Sequence, residues 1–224
     1  MKTIDLATYK RRAHFDFFRA LDYPHVNLTA EVDVTALREF ARDSGQSFFK
    51  CTLYLVSRAA NEVPELRQRI RGETIVEHER VHPSYTFLND DEVFSFTYVD
   101  YQPDAAAFVK AAAAAEDAVR RQITLADEPG RDDYLFVSAI PWVRFTSISH
   151  PIHIQTVDSV PRISWGRFEE QVAVGAGAGS ARRWRMPLSI QAHHALVDGL
   201  HIGRFYERLE ALLEDLAAAF EGNA

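Results

Sequence analysis

A strand that leads directly into two adjacent histidines constrains the fold of this chain more than any other feature. Alternate residues over 186–190 are apolar, which is the pattern of a strand with one buried face. His193 and His194 follow, and Asp198 and Gly199 then interrupt the pattern before a long amphipathic stretch. Because neighbouring side chains of an extended segment point to opposite faces, we expect the two imidazoles to have different roles. One can face a cavity while the other packs behind it, with Asp198 fixing the turn.

The composition limits the classes of protein to which the chain can belong. Its 224 residues carry a formal net charge of −7, which argues against a nucleic-acid or membrane partner. Cys51 is the single cysteine, so an intrachain disulfide and a multi-cysteine metal site are excluded. No apolar run approaches the roughly 18–20 residues that span a bilayer, and residues 1–18 lack a signal-peptide pattern. We therefore expect a cytoplasmic protein with one domain over residues 1–224.

The apolar periodicity divides the chain into helices and strands in mixed order. Helices are expected over 8–21, 33–45, 47–63, 104–121 and 200–220. Strands are expected over 25–34, 74–76, 84–88, 93–99, 134–140, 162–174 and 182–192. This combination predicts an α+β fold, a two-layer sandwich in which helices cover one side of a mostly antiparallel sheet.

Several candidate side chains have a structural interpretation beside the functional one. The tandem residues Arg11 and Arg12 ordinarily form a solvated face, and the alternative is that one of them reaches a buried acid. Ser138 lies near the end of an apolar strand, where a satisfied core hydroxyl is the commoner role. Cys51 lies in an almost wholly apolar helix with no obvious base nearby, which favours a role as core filler.

Two further segments could contribute to a ligand site. The strand 93–99 carries Phe94, Phe96 and Tyr98 on one face, which is more often core but can line an apolar pocket. The alternating glycines of 175–179 match neither phosphate-loop spacing and are followed by no Lys-Ser/Thr pair that opens a helix. A hairpin loop is therefore expected there.

The segment His193-His194-Ala195-Leu196-Val197-Asp198-Gly199 resembles the His-His-x-x-x-Asp-Gly signature of the CoA-dependent acyltransferases. Within that superfamily the chain is most similar to the type A, trimeric chloramphenicol acetyltransferases. Similar segments occur in the family's order at 9–15, 61–67, 138–143 and 187–192, so the resemblance covers essentially the whole chain. It implies the family's α+β fold and an O-acetyltransferase that uses acetyl-CoA as co-substrate and requires no metal.

By position, the resemblance also implies a catalytic set. His194 would be the general base that takes the proton from the acceptor hydroxyl. Ser138 would donate a hydrogen bond to the oxyanion of a tetrahedral intermediate. Asp198 would pair with Arg11 and so hold the active-site loop, and Ser164 would hold a water near the intermediate.

The two substrates would bind at opposite ends of a tunnel. Phe168 would pack against the adenine of CoA. The acceptor pocket would be formed by Phe18, Asp22, Pro24, Phe94, Phe136, Ile148 and His150. Asp22 and His150 stand where the family tends to have apolar side chains, so we expect a more polar pocket. The leading acceptor is chloramphenicol, which implies antibiotic resistance, and the alternative is another alcohol. The resemblance further implies a homotrimer whose subunits share each active site.

Three other functions are compatible with parts of the sequence. A dihydrolipoyl acyltransferase core would share the fold, but the sequence carries no lipoyl-type segment and has Pro-Trp after residue 140. A metal site of His193, His194 and His201 is disfavoured, because adjacent histidines of a strand rarely chelate one ion. A non-catalytic binding protein with an inactive site is disfavoured by the intact base and oxyanion residues.

Overall fold

Ten strands and six helices make up the described part of the chain, which a computed structural model gives for residues 1–121, 123–126, 128–153, 156–172 and 182–220. The strands are β1 (Lys2–Ile4), β2 (His25–Asp33), β3 (Gln68–Arg71), β4 (Thr74–Glu77), β5 (His82–Leu88), β6 (Phe94–Tyr98), β7 (Tyr134–Ile140), β8 (Arg162–Gly166), β9 (Glu169–Val172) and β10 (Arg182–His193). The helices are α1 (Arg12–Arg19), α2 (Thr35–Ser44), α3 (Phe48–Asn61), α4 (Ala105–Val119), α5 (Gly199–Glu214) and α6 (Leu216–Phe220), with a 3-10 turn at Pro64–Arg67.

The main sheet has the strand order β2-β10-β8-β7-β5-β6, with β9 paired to β10. Its neighbours are antiparallel except for two parallel pairs, β5 with β7 and β7 with β8. A second, antiparallel sheet has the order β1-β4-β3. The predicted α+β class with a mostly antiparallel sheet is confirmed, and the separate small sheet is an addition to it.

The two faces of the main sheet differ in chemistry. Tyr85, Val137, Ile163 and Ile190 lie side by side on one face and are buried in the hydrophobic core. The hydroxyl of Tyr85 donates to a backbone carbonyl of α4 at 3.2 Å, so the helices pack on this face. The opposite face carries Ser138, Ser164 and Ser189 in register on adjacent strands. Burial of the apolar face stabilises the fold, while the polar face remains for binding and chemistry.

The two central helices form as their sequences predict. Asp104 accepts a hydrogen bond from the N–H of Ala107 at 2.9 Å, which caps the alanine-rich α4. Ser47 caps α3, whose side chains are mostly buried. Cys51 of α3 is fully buried, and burial raises the pKa of its thiol to about 11, so the prediction of core filler is confirmed. None of the described helices is long and apolar enough to cross a membrane.

Several predicted boundaries are wrong. The helix expected over 8–21 begins at Arg12, and the strand expected over 162–174 is two strands separated by Arg167 and Phe168. The terminal helix is broken at Asp215, whose carboxylate accepts from the N–H of Ala218 at 3.1 Å and so starts a new turn. Residues 173–181, with the predicted glycine hairpin, lie outside the described residues.

The aromatic face of β6 is not core. Phe94 and Tyr98 are 46% and 39% exposed, whereas Ser95 and Thr97 on the other face are buried. Thr97 donates to a carbonyl of α4 at 3.2 Å, and Ser95 accepts from the N–H of Thr124 at 3.2 Å. Because these hydroxyls are satisfied by nearby backbone groups, the polar face of β6 can be buried and the aromatic rings face outwards.

Candidate active site

The chain turns sharply where β10 ends, and this turn separates the two histidines. β10 ends at His193, and residues 194–196 form a turn closed by the N–H of Leu196 on the carbonyl of His193 at 3.0 Å. The imidazoles do have different surroundings, as predicted. The predicted reason is wrong, because His194 lies in a turn and not on extended backbone.

His193 is a buried supporting residue. It is 3% exposed, and its Nδ1 accepts a hydrogen bond from the N–H of Ala195 at 3.2 Å. Burial, together with the neighbouring His25 and His194 rings, lowers the pKa of the ring to about 4, although Asp158 acts in the opposite direction. His193 is therefore neutral near pH 7 and packs behind the turn.

The ring of His194 is partly exposed and held in one orientation. Its Nδ1 lies 3.0 Å from the carbonyl oxygen of Val197. A carbonyl only accepts, so the neutral ring carries its proton on Nδ1 and has Nε2 unprotonated. The ring stacks on Phe18 with centroids 3.9 Å apart, and the backbone N–H of His194 donates to Pro24 at 2.7 Å. These contacts suit the ring to proton abstraction at Nε2.

Arg11 and Asp198 tie the turn to the start of the chain. Their side chains form the predicted ion pair, and Arg11 also donates to the carbonyl of His194 at 3.2 Å. Asp198 accepts from the N–H of Leu200 at 3.0 Å and so caps α5. Arg12 instead pairs with Asp16 on the surface. The predicted contact is confirmed, while its importance for activity stays a prediction.

A buried histidine that the sequence analysis considered only as a disfavoured metal ligand supports this ion pair. His201 accepts from the backbone N–H of Asp198 at 3.0 Å through Nδ1, and its Nε2 lies 3.4 Å from a carboxylate oxygen of Glu65. Burial lowers the pKa of His201, which favours the neutral ring that can accept this bond. The Asp-x-x-His spacing at the start of a helix is the signal that could have identified it.

A cavity of about 450 Å³ opens on the polar face of the main sheet. Its wall includes Ser138 and Phe136 of β7 together with His150, all three of which were predicted site residues. The hydroxyl of Ser138 lies 3.4 Å from that of Thr86 on the neighbouring strand. Among the described residues, the lining of this cavity does not include His194. The predicted base and the predicted oxyanion donor therefore belong to different parts of one chain's surface.

Ser164 contacts His150 rather than standing alone in the sheet. It is fully buried beside Ser138 in the register of β7 and β8, and its Oγ lies 3.0 Å from Nε2 of His150. Burial lowers the pKa of His150, and the guanidinium of Arg162 lowers it further, so the ring is neutral near pH 7. The predicted role of Ser164 in holding a water stays a prediction.

Two amide side chains fix the segment that carries His150. Asn27 of β2 donates to the carbonyl of Ile148, and Gln191 of β10 accepts from the N–H of His150 at 3.0 Å. The hydroxyl of Ser189 in turn donates to Asn27 at 2.7 Å. Sequence reasoning missed Asn27 and Gln191, although polar residues at alternate positions of otherwise apolar strands were a usable signal.

The remaining predicted site residues do not all belong to the surroundings of His194 or to the cavity wall. Pro24 accepts from the backbone N–H of His194 through its carbonyl, while Asp22 is exposed and is not part of the cavity wall. Phe94 is exposed on β6, and its neighbour Phe96 lines the cavity instead. Phe168 packs against Trp184 and Phe48, with ring centroids 5.6 and 4.9 Å away. The described residues contain no group of three or more metal-ligating side chains.

The sequence matches the family model described as chloramphenicol acetyltransferase over residues 1–210. The chain belongs to the chloramphenicol acetyltransferase family. It is 29% identical over 210 residues to chloramphenicol acetyltransferase 3 of Escherichia coli, covering 93% of this chain and 94% of that protein. It is 28% identical over 215 residues to chloramphenicol acetyltransferase 2 of the same organism, covering 95% and 97%.

Solved structures agree with this assignment. A chloramphenicol acetyltransferase structure superposes with a TM-score of 0.79 at 29% identity, covering 95% of this chain and 99% of that chain. The cubic core of the pyruvate dehydrogenase multienzyme complex has a TM-score of 0.69 at 20% identity, covering 92% of this chain and 88% of that chain, and so shares the fold. Membership of the chloramphenicol acetyltransferase family confirms the prediction of an acyltransferase enzyme.

Proposed function

We propose that this chain transfers the acetyl group of acetyl-CoA to a hydroxyl of chloramphenicol. Relatives that match nearly the whole chain carry the name of this activity. The single observation that carries the proposal is the orientation of His194, whose Nδ1 is occupied by the carbonyl of Val197. This contact leaves Nε2 as a base on a partly exposed ring.

His194 acts on the acceptor. Its Nε2 takes the proton of the acceptor hydroxyl as the oxygen attacks the thioester carbonyl of acetyl-CoA, and a tetrahedral intermediate forms. When the C–S bond breaks, the proton passes from Nε2 to the departing thiolate, so that the ring is neutral again. The bond from Nδ1 to Val197 stabilises the charged ring during the step. Phe18, stacked on the imidazole, limits its rotation.

Ser138 stabilises the charge that develops on the carbonyl oxygen. Its hydroxyl is partly accessible at the wall of the cavity and donates to the oxyanion. Loss of one such donor typically costs about 2.7–4 kcal/mol of transition-state stabilisation. Ser164 lies beside it in the sheet and, as the family resemblance implies, would hold a water near the intermediate.

The acetyl donor binds at the aromatic surface formed by Phe48, Phe168 and Trp184. The guanidinium of Arg38 stacks on the Trp184 ring at 4.0 Å, so a flat ring and a positive charge occur together here. This chemistry fits the adenine and the phosphates of CoA.

A complete active site forms between two subunits of a homotrimer. The base group, with His194, and the cavity of Ser138 are distinct within the described residues of one chain. We infer that His194 of one subunit faces the Ser138 cavity of its neighbour, as the family resemblance implies. A second candidate function, acetylation of a different alcohol, is favoured by the polar imidazole of His150 in the cavity wall.

Release of free thiol from acetyl-CoA tests the proposed activity. Wild-type protein with chloramphenicol is expected to release CoA, and His194→Ala to release it about 10²–10⁴-fold more slowly. Arg12→Ala is the control, because Arg12 pairs on the surface and should leave the rate unchanged. The proposal fails if neither chloramphenicol nor a panel of other alcohols raises the wild-type rate above that of His194→Ala.

A further inference from the structure

His150 is held on the cavity wall by contacts from three different strands. Its backbone N–H donates to Gln191 of β10, and Asn27 of β2 holds the carbonyl of Ile148 two residues earlier. Its ring contacts Ser164 of β8 at 3.0 Å. Gln191 and Ser164 are both buried, so these partners are themselves fixed. The imidazole is consequently presented to the cavity in a defined position.

The charged groups on the same wall are already paired. Arg162 forms an ion pair with Asp158 at 2.5 Å, and Asp132 pairs with Arg71 at 2.6 Å. His150 is neutral near pH 7, because burial and the charge of Arg162 both lower its pKa. Within the described part of the wall, the cavity therefore offers hydrogen bonds without a strong uncompensated charge. Such a wall does not favour a charged acceptor.

One ring nitrogen of His150 remains for a ligand. A neutral imidazole has one donor and one acceptor nitrogen, and Nε2 is engaged by Ser164. Nδ1 has no partner among the described residues. An acceptor that fills the cavity and places an apolar group against this nitrogen would leave it unpaired, which costs free energy. Sites of this kind discriminate strongly against an analogue that lacks the matching polar group.

We propose that His150 determines acceptor specificity and selects neutral alcohols that carry a second hydroxyl besides the one that is acetylated. The apolar part of such an acceptor packs on Phe136 and Phe96, which line the same cavity. Purely aromatic or aliphatic alcohols are disfavoured. This inference rests on the proposed acetyl transfer at this cavity.

Two matched pairs of acceptors test the inference. Chloramphenicol and 1-deoxychloramphenicol differ by one hydroxyl, and so do 1-phenylpropane-1,3-diol and 3-phenylpropan-1-ol. We expect the wild type to prefer the hydroxylated member of at least one pair by about tenfold in kcat/KM, the effect of one neutral hydrogen bond. His150→Phe should reduce that preference below about threefold. His150→Gln, which keeps a hydrogen-bonding group, should retain most of it.

His14→Phe is the control, because His14 is exposed on α1 and is not part of the described cavity wall. It should keep the wild-type preference. Thermal unfolding confirms that each variant is folded, and His150→Leu replaces His150→Phe if the latter does not fold. The inference is overturned if the wild type shows no preference in either pair, or if the preference survives His150→Phe unchanged.

Calorimetric Kd values for the same pairs separate this inference from the proposed function. One outcome is that the wild type binds the hydroxylated acceptor more tightly, that His150→Phe loses this preference, and that no CoA is released. This outcome would support recognition by His150 and contradict acetyl transfer. CoA release with a preference that is insensitive to His150 would support acetyl transfer and overturn the specificity inference.

Discussion

Single hydrogen bonds give the two adjacent imidazoles opposite properties. Nδ1 of His194 donates to a carbonyl, whereas Nδ1 of His193 accepts from a backbone N–H. The turn that follows β10 imposes both bonds. The number of residues between β10 and α5 therefore determines which nitrogen of each ring carries the proton. His194 is thus suited to act as a base, while His193 is confined to a buried and neutral supporting role.

The burial of His193 predicts that the free energy of unfolding depends on pH. The pKa of its ring is about 4 in the folded protein and about 6.5 in an unfolded chain. The unfolded chain therefore binds the proton first as the pH falls. Stability that is fully present above about pH 6.5 is lost progressively towards pH 4, by at most about 3 kcal/mol from this residue.

Urea unfolding at pH 7.5 and pH 4.5 measures this loss. His193→Gln should lose less stability than the wild type over this interval, because glutamine has no proton to bind. The free energy of unfolding of the variant should still fall between these two pH values, but by less than in the wild type. Burial also lowers the pKa of four other histidines, His25, His82, His150 and His201. Equal slopes for His193→Gln and the wild type would contradict the assignment.

The pairing of Arg11 with Asp198 could be predicted because a family motif fixes both positions in the sequence. The contact of Glu65 with His201 could not, since nothing local relates Glu65 to the start of α5, whereas the contact of His201 with Asp198 is local and was overlooked. Contacts of this kind depend on which distant elements pack together. At the scale of residues, motifs therefore predict the reacting groups better than the groups that hold them.

At the scale of elements, predictions from the local sequence were correct where the element has a continuous apolar run or its own cap. The limits of β7 were predicted from its apolar run, and the start of α4 from the cap at Asp104. The short strands β1 and β3 were missed, because each has few residues and pairs only through β4. The exposure of the aromatic face of β6 was not predicted, because the buried hydroxyls of its opposite face bond to backbone groups that are distant in sequence.

The loop element that carries His150 depends on two side chains rather than on backbone pairing. Replacing Gln191 by Leu removes the acceptor of the His150 N–H, so this amide should exchange with solvent about tenfold faster. Amide hydrogen exchange followed by NMR measures the change. Gln171→Leu is the control, because Gln171 donates to Glu31 on the surface and, among the described residues, has no hydrogen bond with residues 148–150. Unchanged exchange at His150 in Gln191→Leu would show that other contacts hold the segment.

At the scale of the whole molecule, the cavity with Ser138 opens on the polar face of the sheet, while His194 lies at the junction of β10 and α5. The fold class could be predicted because helical and strand periods alternate clearly along the chain and a family motif is present. The division of the site into two groups could not be derived from periodicity. It follows from how β2, β7, β8 and β10 are ordered in the sheet.

The central claim is that His194 and Ser138 act together across a subunit interface. Neither His194→Ala nor Ser138→Ala should release CoA efficiently from acetyl-CoA and chloramphenicol. When the two variants are unfolded, mixed in equal amounts and refolded together, about a quarter of the sites in random closed trimers combine an intact His194 with a neighbour's intact Ser138. We predict recovery of about a quarter of the wild-type rate in the mixture. A mixture no more active than the separate variants would contradict the account.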